Sequence, residues 1–273
     1  IKRSAPDPKY FLGSGKAEEV KFMIQESKAD TVIFNHNLSP SQERNLEKYF
    51  STRIFDRTAL ILLIFAKRAK SHEGKLQVEL AQLDHLSTRL IKGWSHLERQ
   101  KGGIGVRGGP GEKQLELDRR MLKLRIKQLK EKLDKLKRQR TMQRKKRSRS
   151  NVLNISIVGY TNAGKSTLFN QLTHANALAM NQLFATLDTT SRKLFIQEGV
   201  ECVISDTVGF IKALPTTLIE AFKSTLEESR EADLLLHVVN MANPNHSEQI
   251  AAVNKILEEI KAASIPQILV LNH

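Results

Sequence analysis

One segment constrains the fold more than any other in this chain of 273 residues. An apolar run at 154–158, typical of a buried strand, leads directly into a G-x-x-x-x-G-K-S pattern at 159–166, and a helical run follows. Glycines let the backbone wrap closely around phosphate groups, and successive amides at the start of a helix donate hydrogen bonds to them. We therefore expect Lys165 to reach the β- and γ-phosphates of a nucleoside triphosphate, and the Ser166 hydroxyl to bind Mg²⁺.

A second motif fits the same chemistry. The segment 201–210 is a buried strand that ends at Asp206, and D-x-x-G then places Gly209 three residues later. Asp206 would hold Mg²⁺ through water, and the Gly209 amide would bond the γ-phosphate and so sense its presence. Between the motifs, the polar stretch 182–190 has no firm period. Our choice for the threonine that closes over Mg²⁺ is Thr186, but the composition does not separate it from Thr189 and Thr190.

The residue after Gly209 bears on the rate of hydrolysis. In Ras and Gα a glutamine there orients the attacking water, and Phe210 cannot do this. We therefore expect intrinsic hydrolysis to be slow. Asn162 could supply help by holding K⁺ near the bridge between the β- and γ-phosphates, although an ordinary loop hydrogen bond explains an asparagine there equally well.

The positive charge is concentrated in one stretch. The chain carries a formal net charge of +15, and residues 119–150 alone carry +14. A concentrated excess indicates a site for a polyanion. A charge run is usually a solvated face, but the basic run that includes 144–147 is almost single-signed and ends at an expected domain boundary, which favours contacts to phosphates. Aromatic residues are absent from 98–159, so base stacking is poorly supported. Contacts to the phosphates of folded RNA fit better.

Two leucine-rich heptad patterns flank a glycine-rich stretch at 101–113 that we expect to interrupt any helix. Their steps of four and three predict coiled-coil helices, and together they indicate an antiparallel helical hairpin with a cationic tip. The tip is either a contact surface or a passive loop, and its charge favours contact. The first pattern runs through Leu76, Leu80, Leu83, Ser87, Leu90, Trp94 and Leu97, and the second through Leu122, Ile126, Leu129, Leu133 and Leu136.

The remaining patterns complete an α/β fold. Short apolar runs at 10–13, 31–35 and 52–57 alternate with helical runs, which predicts a small parallel sheet with crossover helices. After the two motifs, strands are expected at 234–240 and 267–272, with His237 packed in the first of them. We thus expect an α/β domain at 1–75, the basic hairpin at 76–150, and a P-loop domain at 151–273 that lacks its C-terminal elements.

The cysteine count and the hydropathy limit the kinds of protein that this chain can be. The one cysteine, Cys202, excludes a disulfide framework. The longest apolar run, 59–66, is much shorter than the ~20 residues that a membrane-spanning helix needs. We expect a cytoplasmic protein without stable membrane insertion, and leave association with a membrane surface open.

The sequence resembles the HflX-type GTPases of the Obg–HflX group. The segments GYTNAGKSTLFN, FATLD and DTVGF carry the resemblance in one half, and PDPKYFLGSGKAEEV and GWSHLERQKGGIG carry it in the other. The resemblance implies a GTPase that binds GTP, GDP and Mg²⁺. It also implies association with the large ribosomal subunit, contact with ribosomal RNA near the peptidyl-transferase region, and splitting or rescue of ribosomes under stress. We separately expect the protein to be a monomer.

The resemblance also implies roles for individual residues. Ser166, Thr186 and Asp206 would hold Mg²⁺, and Lys165, Asn162, Thr186 and Gly209 would serve catalysis. RNA contacts are expected from Lys101, Arg107, Lys113, Arg144, Lys145, Lys146 and Arg147. Nucleotide contacts are expected from Gly159, Tyr160, Thr161, Asn162, Ala163, Gly164, Lys165, Ser166, Thr167, Phe184, Ala185, Thr186, Leu187, Asp188, Asp206, Thr207, Val208, Gly209 and Asn272.

The end of the chain departs from the family pattern. HflX-type proteins continue with N-K-x-D, whose aspartate reads guanine, and here the sequence stops at Asn272 and His273. This favours a truncated chain, and it leaves the preference for GTP over ATP open. Two other functions stay in view: an RNA-binding, anti-association module that works without nucleotide, and an ATP-dependent RNA remodeller.

Overall fold

The computed structural model describes residues 5–100, 110–148, 152–174, 184, 186–197, 200–212 and 223–272. The chain forms two compact units, each built from two separate stretches of sequence. One unit comprises Ile1–Leu63 with Gln82–Lys127, and the other comprises Ile64–Ala81 with Gln128–His273. The three-domain division expected from the sequence stays a prediction.

The first unit contains the small parallel sheet that the sequence predicted. Helix α1 (Ser14–Ser27), strand β1 (Thr31–Ile33), helix α2 (Pro40–Phe50), strand β2 (Arg53–Phe55) and helix α3 (Arg57–Arg68) follow in order, and α3 continues into the second unit. β1 and β2 pair in parallel, with Val32 opposite Ile54. Leu46, Phe50 and Ile54 lie at the centre of a buried apolar cluster.

The strand predicted at 10–13 is wrong. Only an isolated bridge joins Asp7 to Phe11, because the carboxylate of Asp7 accepts the amides of Lys9 and Tyr10 at 2.8 and 2.9 Å. This is a side-chain-closed turn, which bends the backbone away from an extended path.

Two long helices occupy the middle of the sequence, as predicted: α4 (His72–Gln100) and α5 (Pro110–Ser148). α5 begins inside the stretch that was expected to be non-helical, since proline at the first helical position loses no hydrogen bond and its fixed φ suits a helix start. The tip residues 101–109 lie outside the described residues.

The heptad pattern marks the sheltered face of α5. Leu129 is fully buried, and Leu122, Ile126, Leu133 and Leu136 are half-buried, whereas the residues between them are exposed. Antiparallel packing of the two helices stays a prediction.

The second unit is built around a five-stranded sheet in the order β4-β5-β3-β6-β7. Its elements are β3 (Leu153–Gly159), α6 (Lys165–Thr173), β4 (Thr190–Gln197), β5 (Val200–Asp206), α7 (Lys223–Arg230), β6 (Leu234–Asn240), α8 (His246–Glu259) and β7 (Gln267–Asn272). β4 pairs antiparallel with β5, and the other pairs are parallel. The antiparallel edge strand β4 was not predicted.

The register of the parallel strands positions the two sequence motifs. Ile157 pairs with Asp206, and Gly159 pairs with Val238. The loops that follow β3 and β5 therefore leave the same edge of the sheet side by side, which is where ligands bind in open parallel sheets. His237 is buried in β6, as expected. None of the helices in the described ranges is long and apolar enough to cross a membrane.

Candidate nucleotide-binding site

The loop between β3 and α6 requires glycine at both ends. Gly159 has φ +150° and Gly164 has φ +94°, conformations that side chains disfavour. A Cβ atom at Gly159 would overlap the carbonyl oxygen of Val238, and one at Gly164 would overlap the Nδ2 atom of Asn272. The two glycines of the sequence pattern are therefore required both by their backbone conformation and by the close approach of Val238 and Asn272.

Lys165 opens α6 and lies buried in this loop. Its Nζ atom donates to the carbonyl oxygen of Tyr160 at 2.7 Å. Burial lowers the pKa of Lys165 to about 8, and the nearby Asp206 carboxylate opposes that shift. The ammonium group thus lies in a low-dielectric site, where an anionic ligand would interact with it strongly.

Asn162 lies at the exposed turn of the loop with φ 62°. Asparagine tolerates this left-handed conformation better than most residues do, so the backbone gives one reason for its presence. The choice between this role and K⁺ binding stays open. Thr161 is buried, and its backbone amide donates to the carbonyl oxygen of Phe210 at 2.8 Å.

Three oxygen-bearing side chains meet beside Lys165. The hydroxyl groups of Ser166 and Thr186 lie 2.8 Å apart, and each donates to Oδ2 of Asp206 at 2.7 Å. These residues come from the start of α6, the stretch before β4 and the end of β5. The structure therefore brings together the three residues expected to hold Mg²⁺, and it places Thr186 rather than Thr189 or Thr190 in the cluster.

The cluster fits a magnesium ion. Oδ1 of Asp206 is buried and has no hydrogen-bond partner among the residues that the structure describes. Burial raises the pKa of Asp206, while hydrogen bonds from Ser166 and Thr186 and the charge of Lys165 lower it. A buried carboxylate oxygen without a partner beside two hydroxyl groups is a suitable oxygen donor set for a hard divalent cation.

The loop after β5 packs tightly against the glycine-rich loop. A Cβ atom at Gly209 would lie 2.8 Å from Cγ2 of Thr161 and 2.9 Å from Nζ of Lys165. Thr207 and Val208 are buried, and the Thr207 hydroxyl donates to the carbonyl oxygen of Ile157 at 2.6 Å. These contacts make both residues supports of the loop.

Phe210 joins the two loops through its backbone. Its amide donates to the carbonyl oxygen of Gly159 at 3.1 Å, and its side chain is fully buried. A buried phenyl ring cannot orient a water molecule, and the slow hydrolysis expected from the sequence stays a prediction.

The stretch around Thr186 is held by residues that the sequence analysis did not connect to it. Phe184 and Leu187 are buried, and Asp188 accepts the backbone amides of Lys70 and Ser71 at 2.8 and 2.7 Å. Asp188 was expected to contact nucleotide, whereas its carboxylate here binds the start of α4. No local pattern links these positions, because they lie 117 and 118 residues apart. Ala185 lies outside the described residues.

Asn272 and the basic residues complete the comparison with the expected sites. The Nδ2 atom of Asn272 donates to the carbonyl oxygen of Ala163 at 3.1 Å, so β7 ends beside the glycine-rich loop. Lys101 and Arg107 lie outside the described residues. Lys113 and the run 144–147 belong to α5; their RNA contacts stay predictions.

Comparison with known proteins matches nearly all of the chain in three consecutive parts. Family models match residues 1–66 (GTP-binding GTPase N-terminal), 68–147 (GTP-binding GTPase Middle Region) and 154–273 (50S ribosome-binding GTPase). GTPase HflX of Escherichia coli K12 is 57% identical over 99% of this chain, and this chain spans 63% of that protein's length. GTPase HflX of Alkalihalophilus pseudofirmus is 51% identical over 99% of this chain, with 64% of its length covered.

A solved structure shares the fold. The crystal structure of SsGBP in complex with GDP has a TM-score of 0.53 and 26% sequence identity, and the match covers 99% of this chain and 73% of that one.

Proposed function

Because the chain belongs to the HflX family of P-loop GTPases, we propose that it binds GTP with Mg²⁺, hydrolyses it slowly, and associates with the large ribosomal subunit under control of the bound nucleotide. The observation that carries the proposal is the cluster of Ser166, Thr186 and Asp206 beside the buried Lys165. The three clustered residues supply oxygen donors for a metal cation, and Lys165 supplies a positive charge for the phosphates.

The residues of the site have separate roles in binding the phosphates and the metal. Lys165 exchanges the carbonyl oxygen of Tyr160 for phosphate oxygens, and amides of the loop at 159–166 bind the same phosphates. Ser166, Thr186 and the free oxygen of Asp206 hold the metal, either directly or through water. When bound there, Mg²⁺ would supply positive charge to offset the charge that develops on the phosphates.

Hydrolysis also requires an oriented water molecule, which Phe210 cannot position. The Gly209 amide binds the γ-phosphate and senses its loss. With Phe210 buried, the attacking water has no side chain at that position to orient it. In the proposal the ribosome supplies this orientation, and Asn162 would hold K⁺, which would supply additional positive charge near the phosphates. Potassium-independent turnover would exclude that use of Asn162.

The partner is proposed from charge and family. α5 is a helix of 39 residues whose sequence carries most of the excess positive charge, and the family model that matches 154–273 is described as a 50S ribosome-binding GTPase. We place the tip at 101–113 against ribosomal RNA near the peptidyl-transferase region, with splitting or rescue of ribosomes under stress as the outcome. This partner implies action in the cytoplasm, by a monomer.

The test is co-sedimentation of the full-length protein with purified large ribosomal subunits. Four states are compared: a non-hydrolysable GTP analogue, GDP, the corresponding ATP analogue and no nucleotide. We expect the GTP analogue to give the strongest binding. Equal binding in all four states would contradict nucleotide control, and a preference for the ATP analogue would favour the ATP-dependent remodeller.

A lysine variant pair tests the site itself. Lys165→Ala should abolish the dependence on nucleotide while leaving the charge-driven binding to RNA. Lys193→Ala is the matched control, because Lys193 lies exposed on β4 and forms an exposed ion pair with Glu201 at 3.4 Å. Unchanged GTP binding by the Lys165→Ala variant would reject the site.

One observation favours a second function, an RNA-binding module whose nucleotide domain is not needed for docking. The basic sequence of α5 is a single uninterrupted helix, which can follow a phosphate backbone whatever the state of the nucleotide site. Equal sedimentation in all four states would support this function over the first.

A further inference from the structure

Among the described residues, one segment of the chain makes two contacts with the stretch that contains Thr186. The ring of Phe184 packs edge-on against the ring of Phe65, with centroids 4.5 Å apart and planes at 85°. Both rings are buried. Asp188 binds the backbone amides of Lys70 and Ser71. All of these residues belong to the second unit.

Asp188 completes the start of α4. Ser71 precedes the first residue of that helix, and its hydroxyl accepts the amide of Gly74 at 2.8 Å, which is a typical N-cap bond. The same hydroxyl donates to Oδ1 of Asp188. The carboxylate therefore binds the capping residue and the amide before it through charge-assisted hydrogen bonds, which are about twice as strong as neutral ones.

Thr186 lies midway between the two anchors. Phe184 is two residues before it and Asp188 two residues after it, so about 8 Å of chain at most separates Thr186 from either. With both ends held, the Thr186 hydroxyl stays within 2.7 Å of Asp206 and 2.8 Å of Ser166. Thr189 does not take this place, and its hydroxyl has no partner within the described part of the chain.

We propose that Asp188 is a positioning residue, which holds Thr186 over the metal site by binding the N-terminus of α4. The proposal rests on the proposed function, since it concerns the site for Mg²⁺ and GTP. Coupling between two sites is reciprocal, so the ligand that needs Thr186 in place also stabilises the first turn of α4. The start of α4 thereby senses whether the γ-phosphate is present.

Asp188→Asn tests the proposal with little change in shape. The amide nitrogen of asparagine would face backbone N–H groups, so part of the interaction is lost. In the full-length protein, binding of a fluorescent non-hydrolysable GTP analogue in Mg²⁺ should weaken about tenfold. Binding of fluorescent GDP, which does not require Thr186, should change by less than about twofold.

The matched control is Asp233→Asn. The Asp233 carboxylate also accepts a backbone amide, that of Asn154, at 2.8 Å, but at the start of β3, the end of the strand away from the glycine-rich loop. We expect this variant to bind both nucleotides as the wild type does. If Asp188→Asn weakens the binding of the GTP analogue and of GDP equally, the proposal is overturned. It is likewise overturned if this variant weakens the binding of neither nucleotide, because Asp188 then has no positioning role.

Gly74→Ala approaches the same contact from α4. A Cβ atom at Gly74 would overlap Oδ1 of Asp188, while alanine is a better helix former than glycine. We therefore expect Gly74→Ala to stabilise α4 and to weaken the binding of GTP. A selective loss of GTP-analogue affinity supports the proposal, and unchanged affinity overturns it.

Failure of the proposed function gives a different result. If the wild type binds neither nucleotide, both the function and the positioning role fail. If Lys165→Ala loses both nucleotides while Asp188→Asn and Gly74→Ala match the wild type, the function stands and only the positioning role fails.

Discussion

Gly209 offers the sharpest steric test of the site. A Cβ atom there would lie 2.8 Å from Cγ2 of Thr161, 2.9 Å from Nζ of Lys165 and 2.9 Å from Cα of Thr161. Favourable separations between carbon atoms are about 3.5 to 4.0 Å, so each contact is too short by at least about 0.6 Å. The end of the Lys165 side chain can move. The Thr161 backbone cannot move as easily, because it is part of the glycine-rich loop and its amide is hydrogen-bonded to the carbonyl oxygen of Phe210.

Gly209→Ala should therefore lower stability and disturb the loop together. Overpacking of this kind costs about 1 to 3 kcal/mol, which corresponds to a fall in Tm of about 2 to 12 °C for a unit of this size. Differential scanning fluorimetry measures the shift, and titration with the GTP analogue should show weaker binding because Lys165 is displaced.

The control is Gly15→Ala. Gly15 lies in the first turn of α1, and a Cβ atom there meets nothing within 4 Å. Since alanine is the better helix former, Tm should stay the same or rise. If Gly209→Ala melts at the wild-type temperature and binds the GTP analogue normally, the steric reasoning about this loop is refuted.

Three further expectations follow from single features of the structure. Leu129→Ala should cost about 2 to 5 kcal/mol in urea unfolding because Leu129 is fully buried, whereas Leu124→Ala, on the same helix and 53% exposed, should cost under about 1 kcal/mol; equal losses would contradict the predicted seam. Burial lowers the pKa of His237 below 6.5, so the unfolded chain binds the proton more readily and stability should fall as the pH drops below 6.5. His237→Leu should flatten that fall in thermal melts and leave the part due to His85, whose pKa burial also lowers, and an identical pH profile would show that His237 does not contribute. Replacing the basic run 144–147 with glutamine should reduce the slope of log affinity for RNA against log salt by roughly 3, and an unaltered slope would assign the run to a solvated face.

The strands of the second unit show which elements a local sequence pattern can predict and which it cannot. The expected ranges 234–240 and 267–272 coincide with β6 (Leu234–Asn240) and β7 (Gln267–Asn272). The edge strand β4 was missed because Ser191, Arg192 and Lys193 are exposed and Phe195 is 73% exposed. A strand that buries so little shows no alternation of apolar and polar residues to detect.

The choice among the three threonines needed the fold. Thr190 begins β4 opposite Asp206, and Thr189 lies beside it, so both are committed to the sheet edge or its approach. Only Thr186 reaches the hydroxyl of Ser166 and the carboxylate of Asp206. Nothing in the composition of 182–190 distinguishes these positions, because the distinction depends on where the neighbouring strand ends.

The sequence by itself determined the glycine-rich loop, the D-x-x-G segment, the basic helix and the family, because each depends on residues close together in the chain. The backbone conformations of Gly159 and Gly164 and the place of Lys165 at the start of α6 are local, whereas the close approach of Val238 and Asn272 to those glycines belongs to the tertiary structure. Only the tertiary structure decided that Thr186 joins Ser166 and Asp206 and that Asp188 binds the start of α4. Those contacts join residues up to 118 positions apart, and they depend on how the packed elements bring distant backbone together, which no local pattern encodes.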